Sequence, residues 1–384
     1  MKYKRILVIF GTRPEAIKMA PVVDELKKNS IFNIFVCITA QHREMLDQAL
    51  NLFKITPDYD LDIMQANQTL ADLSADILKK VTNVLDEVSP DLVLVHGDTT
   101  TAFASALACF YKKIPIGHVE AGLRTGNIMS PWPEEMNRSF ISQIAKLHFA
   151  PTITGKLNLL AEGIPEKNIW IVGNTVVDSL KKALLKVSSK DFAIPNFLEP
   201  ILLDKILKGR FIFVTGHRRE NFGDGIISIC KALKRIAQNN NIDILYPVHP
   251  NPNIMKPVFD LLENEKNIHL IPVLDYSSFI FLLNKSFFVI TDSGGIQEEA
   301  PSLGKPVLLM RDSTERPESL SEGTIKIVGA NEDLIVNEAE HLLNSEEYYK
   351  EMSKIHNPYG DGEASKRIIQ IIKGDKNVKE FLKN

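Results

Sequence analysis

Short apolar runs of strand length alternate with helical-period stretches along nearly the whole chain, and this alternation restricts the fold more than any other feature. Strands are predicted at Arg5–Phe10, Ile34–Thr39, Leu92–His96, Pro115–His118 and Leu147–Ala150. Helical periodicity fills the intervals at Glu15–Lys28, Leu70–Val88 and Thr100–Tyr111. A second series follows, with strands at Phe211–Thr215, Asp243–Pro247, Ile268–Ile271, Phe287–Thr291 and Pro306–Leu309. A parallel strand pair needs a crossover, which a helix supplies, so the pattern predicts α/β architecture with parallel sheets covered on both faces. Between about Gly173 and Gly209 the pattern breaks, and Ser188-Ser189-Lys190 through Pro195 reads as a loop. At 384 residues the chain exceeds what one core ordinarily serves. Two doubly wound, Rossmann-like halves are therefore expected. Open parallel sheets bind ligands beyond the carboxyl ends of their strands, so the expected site is a cleft between the halves.

Charge and cysteine content narrow the function class. With 45 Lys+Arg against 48 Asp+Glu the net charge is −3, which excludes both a nucleic-acid binder of bulk positive charge and an acidic disordered chain. The best candidate for a span, Phe279 to Ile290, is interrupted by Asn284 and Lys285, so no membrane span is expected. Met1-Lys2-Tyr3-Lys4-Arg5 leads straight into a strand-like segment rather than a signal peptide. Cys37, Cys109 and Cys230 are scattered and odd in number, as expected of reduced core thiols in a cytoplasmic protein.

The polar motifs all follow strands. In Gly11-Thr12-Arg13-Pro14-Glu15, Thr12 and Glu15 have capping-box spacing, but Arg13 sits where a helix dipole is positive. A cation there makes sense beside a bound anion, for which phosphate fits the guanidinium fork and the backbone N–H groups. His96-Gly97-Asp98-Thr99 offers Asp98 either as helix cap or as functional carboxylate. Glu120 of His118-Val119-Glu120-Ala121-Gly122-Leu123-Arg124 either pairs with Arg124 on the surface or faces a ligand. Glu134 and Glu135, after Pro131-Trp132-Pro133, suit a first helical turn and add carboxylates on the same side of the sheet. In the second half, Gly216-His217-Arg218-Arg219 and Val248-His249-Pro250 occupy equivalent places. The strand leading into Asp292-Ser293-Gly294-Gly295 and a helix carrying Glu299 is read as an anion cradle, and Arg311 and Arg316 follow the next strand. Asp60-Leu61-Asp62, the spelling of a metal-binding Asp-x-Asp, is read as surface, and no zinc or nucleophile motif is present.

Six strings together resemble the non-hydrolysing UDP-N-acetylglucosamine 2-epimerase family. They are Phe-Gly-Thr-Arg-Pro-Glu-Ala-Ile-Lys-Met-Ala-Pro (10–21), His-Gly-Asp-Thr-Thr-Thr (96–101), His-Val-Glu-Ala-Gly-Leu-Arg (118–124), Ser-Pro-Trp-Pro-Glu-Glu (130–135), Gly-His-Arg-Arg-Glu-Asn (216–221) and Asp-Ser-Gly-Gly-Ile-Gln-Glu-Glu-Ala-Pro-Ser-Leu-Gly-Lys-Pro-Val (292–307). The resemblance implies the glycosyltransferase-B arrangement of two facing Rossmann-like domains. One spans 1–173 and is rejoined by a C-terminal helix at 364–384; the other, UDP-binding, spans 174–363. It implies inversion at C2 of UDP-N-acetylglucosamine to UDP-N-acetylmannosamine, through loss of UDP to 2-acetamidoglucal and re-addition. Asp98, Glu120, Glu134 and His217 are the implied catalytic residues. Arg13, Lys18, Ser293, Gly294, Gly295 and Arg316 are implied at the diphosphate, with His249 nearby and Glu299 at the ribose.

Neither a redox cofactor nor a metal is expected, the partner is the UDP-sugar, and the implied assembly is a homodimer. Some members of the family it resembles are activated by a second substrate molecule bound beside the active site, and they share a pattern around the position of Gln41-His42-Arg43. Glu44 and Asn67 stand where those relatives carry Gln and Arg, and a carboxylate beside a diphosphate is unfavourable, so weak or absent substrate activation is expected. The rival readings are an epimerase for a related UDP-diacetamido-uronic acid, a glycosyltransferase of the same fold, and a non-catalytic UDP-sugar sensor.

Overall fold

A computed structural model describes residues 3–40, 43–64, 68–189, 192, 200–207, 210–314, 316, 318, 320, 323–354, 358–375 and 378–381, the side chains of 43–45, 200, 201 and 205 excepted. The chain forms two compact units, Met1–Lys181 with Tyr359–Asn384, and Lys182–Pro358.

The first unit is built on seven parallel strands: β1 (Arg5–Phe10), β2 (Asn33–Ile38), β3 (Tyr59–Asp60), β4 (Leu92–His96), β5 (Ile116–Val119), β6 (Leu147–Ala150) and β7 (Ile169–Ile171). Their order is β3-β2-β1-β4-β5-β6-β7. Helices α1 (Arg13–Lys27), α2 (Arg43–Phe53), α3 (Leu70–Val88), α4 (Thr100–Tyr111), α5 (Glu134–Ile144), α6 (Ile153–Ala161) and α7 (Thr175–Val187) follow in the crossovers. The strands read as unbroken apolar runs because both faces are covered: Ile6 through Phe10 and Leu92 through Val95 are fully buried. One face is filled by the stripe Leu73, Ile77, Val81, Val84, Leu85 and Val88 of α3. That helix starts where Thr69 caps Asp72 N and stops where Ser89 turns left-handed.

The second unit repeats the plan with β8 (Phe211–Thr215), β9 (Asp243–Pro247), β10 (Ile268–Ile271), β11 (Phe288–Thr291), β12 (Val307–Leu309) and β13 (Ile325–Ile327), in the order β10-β9-β8-β11-β12-β13. Its described helices are α8 (Pro200–Leu207), α9 (Asp224–Asn240), α10 (Pro252–Leu262), α11 (Tyr276–Lys285), α12 (Ile296–Ser302), α13 (Glu332–Asn344) and α14 (Glu346–Met352). The chain then returns to the first unit as α15 (Ala364–Lys373), whose Ile368, Ile369 and Ile372 are buried. Asp178 of α7 anchors the start of α15, accepting the N–H groups of Ala364 at 3.2 Å and Ser365 at 2.8 Å.

The expected fold class holds: each unit is a doubly wound parallel sheet. Strands β3, β7 and β13 are additions to the sequence reading. They are short and lie at the ends of their sheets, where one missing neighbour removes the need for a long apolar run. Asp60 and Asp62 are exposed at such an edge, as the surface reading of that motif expects. No described helix is long and apolar enough to cross a membrane.

Both sheets reverse direction of winding at one place, between β1 and β4 and between β8 and β11. At such a switch point the two post-strand loops diverge and leave room for a ligand.

Candidate active site

At the first switch point the loop after β1 passes against Thr39 and Thr101, which bond each other at 2.8 Å. A Cβ on Gly11 would lie 2.0 Å from Thr39 Oγ1, so only glycine fits. The capping box forms as expected and does more. Glu15 Oε2 accepts the N–H groups of Gly11 at 3.1 Å and Thr12 at 2.8 Å, while Oε1 accepts the hydroxyl of Thr99 at 2.8 Å. Burial pushes the Glu15 carboxyl up to about 7, against the lowering effect of these bonds. Since Glu15 takes those two N–H groups, the cation expected to meet an anion here is Arg13 itself, half-buried in the first turn of α1.

Asp98 is not the cap of α4. Thr99 fills that position, accepting the N–H of Ala102 at 3.0 Å, which leaves the Asp98 carboxylate to Arg138 of α5 at 2.5 Å. Asn137 Nδ2 donates to the Asp98 carbonyl at 2.9 Å, so the start of α5 is fixed to the end of β4. Glu135, beside it, accepts the N–H groups of Thr125 at 2.9 Å and Gly126 at 3.0 Å and so holds the loop before α5. Glu134, the first residue of α5, has a buried Oε2 with no hydrogen-bond partner among the described residues.

Glu120 does not pair with Arg124, which turns instead to Glu162 at 2.6 Å. Its backbone is left-handed at φ 64°, a conformation costing a non-glycine residue about 1 kcal/mol or more, and the side chain is carried away from the surface. There its carboxylate forms an ion pair with Lys18 of α1, and each side chain keeps 8% of its exposure. Asn174 Nδ2 donates to the same oxygen, Glu120 Oε2, at 2.7 Å, and His96 Nε2 stands 3.8 Å away. Beneath it His118 is fully buried, bonds the Gly97 carbonyl at 2.7 Å and is held neutral, its pKa pushed down to about 3 by burial. Lys18, expected among the diphosphate cations, is thus engaged by a carboxylate from the end of β5.

At the second switch point a carboxylate again joins the two loops. Asp292, after β11, accepts the N–H groups of His217 at 3.0 Å and Arg218 at 2.9 Å and the amide of Asn221 at 3.2 Å. The His217 ring lies with Nδ1 3.4 Å from Asp292 Oδ1 and is stacked on His249, their centroids 5.9 Å apart. Surrounding protein holds the His217 pKa below the usual histidine range, with Asp292 pulling the other way. Ser293 follows directly, its N–H given to Thr291 Oγ1 at 3.0 Å, and Gly294-Gly295 lead into α12. On α12, Glu299 is buried and accepts the hydroxyl of Tyr276 at 2.8 Å. Arg316 returns to the same helix, its Nε donating to Glu298 Oε1 at 2.7 Å. The sequence-predicted residues of this unit thus follow β8, β9, β11 and β12, in separate bonded groups around Asp292 and around α12.

The arrangement offers carboxylates with distinct surroundings in one unit and histidines, a glycine turn and an arginine in the other. A sequence model described as UDP-N-acetylglucosamine 2-epimerase matches residues 24–373. The chain belongs to the UDP-N-acetylglucosamine 2-epimerase family. It is 55% identical over 379 residues to the UDP-N-acetylglucosamine 2-epimerase of Campylobacter jejuni, covering 97% of this chain and 99% of that one. The Escherichia coli K12 enzyme of the same name is 52% identical over 379 residues, again 97% and 99% of the two chains. Among solved structures, the UDP-GlcNAc 2-epimerase of Neisseria meningitidis bound to UDP-GlcNAc matches with a TM-score of 0.90 at 48% identity, covering 97% of this chain and 100% of that one.

Four residues that hold this family's motifs in place received no role of their own from the sequence: Asn174, Arg138, Tyr276 and Asp292. Asp292 alone had a local signal, as the residue between a strand end and Ser-Gly-Gly. The other three act on partners between 23 and 54 residues away, a distance at which motif spacing carries no information. Gln41, His42 and Asn67 lie outside the described residues, as does the side chain of Glu44, so the substrate-activation expectation has no structural counterpart.

Proposed function

We propose that this chain interconverts UDP-N-acetylglucosamine and UDP-N-acetylmannosamine by inverting C2 of the sugar through a 2-acetamidoglucal intermediate. The observation that carries the reading is the buried Lys18–Glu120–Asn174 group in a chain of this family. A carboxylate addressed by a cation and an amide donor is kept ionised, as removal of a proton requires.

The C2–H has no adjacent carbonyl and resists direct deprotonation. When the C1–O bond to the β-phosphate breaks first, the sugar becomes oxocarbenium-like and its C2–H acidic. Glu120 takes that proton, the C2–H electron pair forms the C1=C2 bond of the glucal, and UDP carries away the electrons of the C1–O bond. Asp98, paired with Arg138 of α5, and Glu134, the first residue of that helix, serve the opposite face, where a proton is delivered to C2 as the UDP oxygen returns to C1. Atoms and electrons balance without oxidant or reductant.

Negative charge develops on the leaving diphosphate, and Arg13, His217, the Ser293-Gly294-Gly295 turn and Arg316 are the groups suited to meet it, with His249 beside them. Each charge-assisted hydrogen bond contributes about 1.5–3 kcal/mol, so a few suffice to retain UDP while the glucal exists. Glu299, which accepts the Tyr276 hydroxyl, holds the ribose hydroxyls in this reading. A homodimer and a cytoplasmic setting complete the proposal; three free buried thiols fit a reducing compartment.

Prolonged incubation of UDP-N-acetylglucosamine with the purified protein, followed by NMR, tests the mechanism. The expected products are the two epimers at equilibrium, with slow release of free 2-acetamidoglucal and UDP. A glycoside formed on an added acceptor, or binding with no turnover, would replace this reading by a transferase or a sensor.

A further inference from the structure

We propose that Asn174 is a positioning residue for the reaction: its amide orients the Glu120 carboxylate and favours its ionised form, while the returning C-terminal segment holds Asn174 in place. The inference rests on the epimerase reading above and assigns a role to a residue that the motifs do not reach.

Asn174 is 2% exposed, and its side-chain amide is bonded at both ends. Its Nδ2 donates to Glu120 Oε2 at 2.7 Å, and its Oδ1 accepts the N–H of Val176 at 3.0 Å, capping α7. The two ends of the amide cannot be exchanged. A carboxylate only accepts and a backbone N–H only donates, so the nitrogen must face Glu120 and the oxygen must face the helix. The backbone N–H of Asn174 in turn donates to the carbonyl of Tyr359 at 2.5 Å, and Tyr359 is packed against Val176 and Val177 with 1% exposure. Residue 359 is the first to rejoin this unit after the second one. The C-terminal return therefore ends on the residue that touches the proposed base.

Among the described residues, titratable groups placed against Glu120 include Lys18 from α1 and His96 from β4. Lys18 supplies charge, but a flexible side chain fixes direction poorly. Asn174, buried and bonded at both ends, fixes it. A neutral donor to a carboxylate lowers its proton affinity, so loss of the amide raises the pH at which Glu120 becomes a base.

Asn174→Asp and Asn174→Ser separate this role from a structural one. Both keep an oxygen that caps α7, and neither gives Glu120 an amide N–H. Steady-state epimerisation is measured from pH 5 to 9 for wild type and both variants, alongside thermal melting. The proposal expects kcat to fall about tenfold or more, part of the 10²–10⁴ that positioned proton transfer supplies. KM should stay within about threefold, and the acidic limb of the kcat profile should move up by about one unit, further for Asp, whose own carboxylate competes for the proton. A variant that folds with unchanged kcat and an unmoved acidic limb overturns the proposal, and so does a kcat loss with the limb unmoved. Should Asn174→Asp fail to fold, Asn174→Ser decides by the same criteria. Wild-type turnover in the same series keeps the two claims apart: its absence removes the epimerase reading, whereas normal wild-type turnover with insensitive variants removes only the role of Asn174.

Discussion

Lys18 and Glu120, 102 residues apart, form an ion pair in which both side chains keep only 8% of their exposure. Removing one partner of such a pair leaves an uncompensated buried charge, which costs about 3–5 kcal/mol. Lys18→Met is therefore expected to destabilise the fold by that order and to reduce kcat at least about 100-fold at neutral pH. The double variant with Glu120→Gln should regain most of the stability but none of the activity. Urea unfolding of the four proteins in the cycle checks this; additive losses would show that the pair contributes no coupling.

Asp292 is the counterpart of that pair in the second unit, since it fixes the backbone on both sides of His217. Asp292→Asn places an N–H against N–H donors and should release the His217 loop. The expected result is a loss of kcat at least about tenfold and weaker UDP binding by calorimetry. Because both residues act through one loop, the double variant with His217→Asn should be little worse than His217→Asn alone. Multiplicative losses would contradict this.

Glu299 and Tyr276 give a prediction about ligand selectivity. If the Glu299 carboxylate, oriented by the Tyr276 hydroxyl, holds the ribose, Glu299→Ala should weaken UDP binding about tenfold. The same substitution should leave the affinity for UDP analogues lacking the ribose hydroxyls almost unchanged. Equal losses for both ligands would place Glu299 elsewhere in the binding event.

Two buried groups make stability depend on pH with opposite signs. Glu15, raised to about 7 by burial, binds more protons folded than unfolded between its ordinary 4.5 and 7, so it makes stability fall as pH rises through that window. His118, lowered to about 3 by burial, binds more protons unfolded between 3 and 6.5, so stability is lost as pH falls through that range. From 4.5 to 6.5 the two slopes oppose each other. Glu15→Gln, whose amide can still serve the Thr12 N–H and Thr99, should remove the first slope and leave a melting temperature that rises steadily with pH. Melting curves at half-unit intervals test this, and an unchanged profile would refute the assignment to Glu15.

Legibility of the fold followed from burial on two faces. Strands such as Arg5–Phe10 and Leu92–His96 carry continuous apolar runs and were readable, while Tyr59–Asp60 and Ile325–Ile327 lie at sheet edges and carry almost no signal. At the site, local chemistry was readable and partnership was not. Thr12 and Glu15 announce a capping box by spacing, yet the third bond of Glu15, to Thr99, depends on how β1 and β4 meet. Asp98 and Thr99 are both good caps by residue type, and only packing against Arg138 shows which one is released. The pairing of Lys18 with Glu120 was not legible, because Glu120 is remote in sequence and its left-handed backbone cannot be inferred from residue type.

The most direct test of the account is NMR of UDP-N-acetylglucosamine incubated with the protein in D2O without added nicotinamide cofactor. Proton transfer at C2 by the enzyme's own carboxylates predicts UDP-N-acetylmannosamine carrying deuterium at C2, with solvent deuterium also entering C2 of the returning substrate. Epimer formation that retains the original C2 hydrogen, or no epimer at all, would contradict it.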